Sequence, residues 1–122
     1  AMAIRFFEQA AKAGEPQAQL MLGQLDRNGR GLRMNKRQAL IWFQRSAARG
    51  NSEAQATLAE MYATGQEVPL DYVGAHMWWN VLAAQGNKPA AQKRAAIEAY
   101  LTPAQLARAQ RLAADFKPVA RP

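Results

Sequence analysis

Ala75-His-Met-Trp-Trp-Asn-Val-Leu-Ala-Ala-Gln-Gly86 decides the fold of this chain, because it is the third copy of one pattern. In each copy an alanine precedes an aromatic pair by three residues, and a second alanine precedes the closing glycine by three. The earlier copies close at Gly14 and Gly50, so successive closing glycines are separated by 36 residues both times. A fixed period of this size predicts an all-α solenoid of helical hairpins.

Glycine and capping residues set the expected helix ends. The three closing glycines suit the left-handed conformation that ends a helix, and Pro16 suits the first position of the next one. Asn35 and Asp71 are expected N-caps of the aromatic helices. Thr102 and Gln105 have the spacing of a capping box before a final helix. We therefore predict about six helices in a right-handed superhelix, with a C-terminal capping helix.

Apolar and small residues at helical spacing predict the core. One helix contributes Ala18, Leu22, Gly23 and Leu25, and the corresponding positions 36 residues later are Ala54, Leu58, Ala59 and Met61. The pairs Phe6/Phe7, Trp42/Phe43 and Trp78/Trp79 are expected to fill the hairpins. A stacking platform for bases or sugars is the alternative. In the final helix one apolar stripe is expected, made of Leu106, Ala109, Leu112, Ala113 and Phe116.

The length and composition of the chain exclude several classes of protein. The 122 residues suffice for one domain with a core, and the absence of cysteine rules out disulfides and cysteine-ligated metals. No run of about 18 apolar residues is present, so no membrane-spanning helix is expected. The chain opens directly in the aromatic half of a repeat, so we expect the natural N-terminus to lie upstream. The compartment, envelope or cytoplasm, stays open.

The order Ala-x-x-x-Leu-Gly, a loop, an acidic or amide cap, Ala-x-x-Trp-aromatic and Ala-Ala-x-Gly resembles the Sel-one-like repeat (SLR), a relative of the tetratricopeptide α/α repeat. The matching positions run from Ala18 to Gly50 and from Ala54 to Gly86. The resemblance implies one domain over 1–122: a half repeat 1–14, repeats 15–50 and 51–86, a terminal hairpin and cap 87–117, and a tail 118–122. It also implies a non-enzymatic adaptor in bacteria, with no catalytic residue and no cofactor among the repeat positions.

Catalysis and metal binding have little support in the residues. His76 is the only histidine of the chain. Neither Ser46 nor Ser52 lies in a recognisable nucleophile turn. We therefore expect no enzyme activity and no metal.

Two surfaces are candidates for partner binding. By analogy with tetratricopeptide solenoids, the first helix of each hairpin lines a concave face, and its candidate residues are Gln17, Gln24, Arg27, Glu53, Glu60 and Gln92. The second candidate is a basic loop for an anion or an acidic partner, made of Arg30, Arg33, Lys36 and Arg37.

The charge pattern leaves the type of partner open. The net charge is +7, yet residues 51–87 contain no lysine or arginine. A protein or peptide partner is the leading hypothesis, and nucleic acid or another polyanion, held by the basic end regions, is the alternative. The acidic middle repeat would interrupt a continuous phosphate track. A homodimer through the uncovered N-terminal helix is a further expectation.

Overall fold

The computed structural model describes residues 8–28, 36–65 and 68–119, and these ranges contain helices and connections without a β-strand. Residues 8–12 belong to the first helix, α1. The others are α2 (Pro16–Asn28), α3 (Lys36–Ala48), α4 (Ser52–Thr64), α5 (Tyr72–Ala84), α6 (Lys88–Ile97) and α7 (Pro103–Asp115), with a 3₁₀ turn at Glu98–Tyr100. The prediction of about six helices is confirmed. In the described ranges, no helix combines the length and the apolar character that crossing a bilayer requires.

The closing glycines have the backbone conformation that the sequence predicts. The φ angles are 90° at Gly14, 100° at Gly50 and 94° at Gly86. Residues that carry a β-carbon rarely adopt this left-handed backbone conformation, whereas glycine adopts it without steric cost. The glycine therefore ends each described aromatic helix at the same point of the repeat.

Side-chain caps start the helices. Asp71 Oδ1 accepts a hydrogen bond from the Gly74 amide at 2.9 Å, as predicted. Asn51 caps α4 and Asn87 caps α6 in the same way, each at 2.9 Å. In the capping box, Thr102 Oγ1 accepts from the Gln105 amide and Gln105 Oε1 accepts from the Thr102 amide. Asn35, the remaining predicted cap, lies outside the described residues.

The chain divides into two compact units within α4. The first unit contains residues up to Gln55 together with the tail from Lys117, and the second unit is Ala56–Phe116. In the first unit α2 packs against α3. Ala18 and Leu22 form a buried cluster with Trp42, and the ring of Phe43 lies against Gly23.

Two glutamines in the first unit are buried, which the sequence did not predict. The Nε2 atom of Gln19 donates to the Ala11 carbonyl at 2.9 Å, and that of Gln55 donates to the Ala47 carbonyl at 3.1 Å. The two glutamines are 36 residues apart, so this is a repeated feature. Each carbonyl also accepts from the amide of the closing glycine, Gly14 or Gly50, at 3.0 Å. The glutamine therefore adds a second hydrogen bond, which links the end of one helix to the next helix and gives its own buried NH₂ group an acceptor.

In the second unit α5 packs against both α6 and α7. Trp79 and Leu82 share a buried cluster with Ile97, and the ring of Trp78 meets that of Phe116 edge-on at a centroid distance of 5.3 Å. The prediction for the α7 stripe is wrong at Leu112, which is 42% exposed. The covered face of α7 is narrower than its apolar stripe.

The beginning of the tail is held against the first unit. The Val119 amide donates to the Ala48 carbonyl at 2.7 Å. The ring of Pro118 lies beside Gly50, within 3.7 Å of the position that a β-carbon on this glycine would take. This contact supplies an amide donor to the C-terminal end of α3, which the sequence analysis did not anticipate.

Candidate partner-binding groove

Two polar side chains that could take part in catalysis, Ser46 and His76, make buried structural contacts. Ser46 is fully buried, and its hydroxyl donates to the Pro16 carbonyl at 2.7 Å. His76 is 1% exposed, and its Nε2 atom lies 2.9 Å from Glu98 Oε2. Neither the Ser46 hydroxyl nor the His76 ring is presented to solvent. Within the described ranges no three His, Asp or Glu residues are placed to hold a metal ion.

The described aromatic pairs belong to the core. Trp42, Phe43 and Trp79 are buried, and Trp78 is half-buried against Phe116. This confirms that these pairs fill the hairpins, because a stacking platform requires exposed ring faces. The pair Phe6/Phe7 lies outside the described residues, and the N-terminal helix through which a homodimer is predicted is described only at residues 8–12.

In the first unit, three of the predicted concave residues can be located. Gln17 is exposed, and its Oε1 atom accepts from Asn51 Nδ2 at 3.3 Å, which joins the N-terminal ends of α2 and α4. Gln24 is half-buried on α2 and Glu53 is exposed on α4. The side chain of Arg27 lies outside the described residues.

In the second unit, Glu60 and Gln92 are exposed, on α4 and α6. Glu60 forms an ion pair with Lys93 of α6, a residue that the sequence analysis did not select. The side chains of Glu60 and Lys93 are 47% and 51% exposed, so solvent screens the pair and it contributes little stability. The contact shows that Glu60 of α4 and Lys93 of α6 are adjacent.

Beside this ion pair lies a pocket of about 150 Å³. Its walls come from three helices of the second unit: Ala56, Trp79, Leu82, Asn87, Pro89, Ala90 and Lys93. We call this pocket with its Glu60–Lys93 rim the α4–α6 groove. The floor is apolar and the rim is polar. Its volume is below the roughly 300 Å³ at which small-molecule sites begin, so it suits a single side chain of a partner.

The sequence predicts a polar strip at this surface, and the apolar pocket is an addition that it does not predict. The pair Ala56 and Ala90 could have indicated the pocket, because small residues on neighbouring helices leave space above the larger side chains between them. Trp79 and Leu82 were assigned to the core, and they are 4% and 2% exposed. Which core residue also borders a pocket depends on helix packing, which a repeat pattern does not specify.

Most of the predicted basic loop lies outside the described residues. Arg30 and Arg33 lie outside the described residues, and so does the side chain of Lys36 at the start of α3. Arg37 is described and exposed. The anion site therefore stays a prediction. No feature of the described residues supports the nucleic-acid alternative.

Comparison with known proteins supports the fold and the repeat pattern. A family model described as Sel1 repeat matches residues 1–15, 16–51 and 52–87. No curated protein matches the sequence significantly.

Two solved bacterial structures are similar to this chain. One is a protective antigen present in uropathogenic Escherichia coli strains that displays an SLR fold, with 34% identity and a TM-score of 0.82 over 93% of this chain. This chain covers 25% of the antigen's length. The other is a Sel1 repeat protein from Oxalobacter formigenes, with 37% identity and a TM-score of 0.69, covering 75% of this chain and 69% of that one. The predicted resemblance and the all-α hairpin fold are confirmed.

Proposed function

The chain belongs to the Sel1 repeat family, and from this premise we propose that it is a non-enzymatic interaction module that binds a partner protein or peptide. The observation that carries the proposal is the α4–α6 groove, where an apolar floor lies beneath a polar rim. Interfaces commonly combine an apolar centre with a polar edge, and much of their affinity comes from a few anchor side chains. We also propose that residues 1–122 form one repeat domain.

In this proposal the groove receives one apolar anchor of the partner. Half-buried Ala56 and exposed Pro89 provide most of the apolar contact area, and the anchor displaces water from them above the buried Trp79. Lys93 and Glu60 at the rim present both signs of charge, so they suit a backbone or a polar side chain next to the anchor. A small pocket favours a single aliphatic or aromatic residue over a lipid chain.

The remaining predicted contacts lie in both units, and in each unit they are proposed as separate polar contacts. Gln92 on α6 is exposed in the second unit, and Gln17, Gln24 and Glu53 belong to the first unit. Polar residues of this kind contribute orientation and specificity more than affinity. Arg37 of the basic loop is a candidate second contact for an acidic partner.

The test is a selection of peptides from a random display library, followed by affinity measurements with matched variants. Ala56→Arg places a long side chain in the groove. Ala107→Arg makes the same substitution at an exposed position of α7 that does not line the groove. Selected peptides should share an apolar residue, bind the parent chain and A107R equally, and bind A56R at least about tenfold more weakly.

Two results would contradict the proposal. The first is a set of selected peptides that bind A56R as tightly as the parent chain. The second is a selection that enriches no peptide at all. Affinities measured at two salt concentrations also test the nucleic-acid alternative, because phosphate binding weakens steeply with salt whereas an apolar anchor does not.

A further inference from the structure

A second surface of the second unit gathers exposed aromatic and aliphatic side chains at the N-terminal end of α5. The rings of Tyr72 and Tyr100 are stacked, with centroids 5.2 Å apart and an interplanar angle of 22°. Tyr100 is 66% exposed, and Leu70 next to the pair is 54% exposed. Tyrosine and other aromatic residues are enriched in protein interfaces, whereas most large apolar side chains are buried.

These residues border a pocket of about 210 Å³ that also includes Asp71 and Gln105. Gln105 accepts a hydrogen bond from the Thr102 amide through Oε1, so its amide NH₂ group is the donor of this side chain. Asp71 is exposed and accepts from the Gly74 amide through Oδ1. The pocket and the α4–α6 groove share no lining residue.

The charged groups around the tyrosine pair favour a positively charged ligand. Asp71 is the ionisable carboxylate at the pocket, and none of the described residues that line it is a lysine, arginine or histidine. The whole stretch 51–87 likewise contains no lysine or arginine, although the chain carries a net charge of +7. Leu70, Asp71 and Tyr72 belong to this stretch, whereas Tyr100 and Gln105 belong to residues 88–122, which contain seven lysines and arginines. The negative charge at the pocket is therefore that of Asp71, which should attract a positive side chain.

We propose that this tyrosine surface, defined as Leu70, Asp71, Tyr72, Tyr100 and Gln105, docks an arginine side chain on an exposed segment of a partner protein. A guanidinium group stacks on an aromatic face and pairs with a carboxylate at the same time. Tyr100 offers the ring and Asp71 the carboxylate. Gln105 offers a donor to a backbone carbonyl of the bound segment, and Leu70 contacts its aliphatic part.

The surface is a contact in addition to the groove of the proposed function, and it can be tested alone. The probe is an acetylated and amidated heptapeptide with one arginine among glycine and serine residues. Its control carries citrulline, which keeps the planar shape and lacks the charge. Both peptides are titrated to millimolar concentration into the ¹⁵N-labelled chain, and amide and tyrosine ring shifts are recorded.

We expect the arginine peptide to shift signals of Tyr72, Tyr100 and Gln105. The citrulline peptide should require at least about a fivefold higher concentration for the same change, since it lacks the cation–π and charge terms. Equal shifts with the two peptides, or shifts that avoid both tyrosines, would overturn the proposal.

Three variants complete the test. Tyr100→Ala should abolish the shifts, and Asp71→Asn should weaken binding several-fold while it still caps α5, because asparagine is an equally good N-cap. Leu112→Ala removes another exposed apolar side chain of the same unit, outside the pocket, and should bind like the parent chain. Thermal unfolding shows which variants remain folded. A folded Y100A or D71N that binds arginine as the parent does would contradict the assignment. Ala56→Arg should block the groove and leave this surface unchanged, so failure of one proposal is distinguishable from failure of the other.

Discussion

The ring of Phe43 occupies the space that a β-carbon on Gly23 would need. A β-carbon built on Gly23 would lie 2.8 Å from Cε1 of Phe43, closer than such atoms approach in proteins. Phe43 is fully buried, so its ring has no free volume to move into. Gly23 therefore sets how closely α2 and α3 approach.

Gly23→Ala should destabilise the chain although alanine is the better helix former. The helix propensity gains about 1 kcal/mol, whereas overpacking of a full core costs typically 1–3 kcal/mol. We expect a net loss of about 1 kcal/mol in urea unfolding. The loss should vanish in the Phe43→Leu background, where the ring is absent. A Gly23→Ala chain that is more stable than the parent would show that the ring is free to move.

Replacing the buried glutamines by leucine should destabilise the chain unequally. Gln19 has an Oε1 atom without a hydrogen-bond partner among the described residues, whereas Gln55 makes at least one interaction beyond its bond to the Ala47 carbonyl. We expect Gln19→Leu to cost about 0.5–1.5 kcal/mol and Gln55→Leu to cost more. Gln92→Leu on the exposed face of α6 is the control. Chemical denaturation of the three variants checks the order, and an inverted order would contradict it.

Removing the capping box should weaken α7. Thr102→Ala leaves the Gln105 amide without the acceptor that it has at 3.1 Å. The expected loss is about 0.5–2 kcal/mol in thermal or urea unfolding, the usual cost of losing a threonine cap. Thr102→Ser keeps the hydroxyl and should retain most of the stability. Equal stability of the alanine and serine variants would mean that packing on α5 alone fixes the start of α7.

The pairing of His76 with Glu98 should depend on hydrogen bonding at Nε2. Glu98→Gln keeps a hydrogen-bond partner for the buried Nε2 atom of His76. Glu98→Ala removes this partner, and the unpaired nitrogen should lower the free energy of unfolding by about 1–3 kcal/mol. Unfolding free energies of the two variants, measured at one pH, should differ in this direction. The same stability for both would show that the nitrogen gains no stability from its contact.

The fold was largely predictable because the repeat pattern reports on backbone requirements. Gly50 and Gly86 have positive φ, and Asp71 and Thr102 cap helices, as the sequence predicts. Each of these features is local, so the residue type and its position are sufficient. Leu112 is the exception: its apolar character predicted burial, but α7 presents it to solvent, because the width of the covered face depends on the neighbour that packs there.

The binding surfaces were less predictable because they depend on contacts between distant residues. Glu60 was selected from its helix position, yet its partner Lys93 is 33 residues away in sequence. Tyr72 and Tyr100 meet through the packing of a turn against the start of α5, and no period connects them. A repeat pattern describes positions that stay the same between copies, whereas Lys93 and Tyr72 hold positions at which the copies differ, with Thr57 and Lys36 at the corresponding positions 36 residues earlier.

The buried glutamine of α2 and α4 has no counterpart in α6, where Ala91 occupies the position 36 residues after Gln55. The junction between α5 and α6 lacks this buried link, and within α6 Ala90 and Ile97 are the buried residues. Local openings of the native state involve the elements with the fewest such contacts, so the amide hydrogens of α6 should exchange with solvent faster than those of α4. Similar protection of the two helices would refute this. One wall of the α4–α6 groove thus comes from a helix that we expect to open more readily than α4, and a partner that binds there should slow the hydrogen exchange of α6.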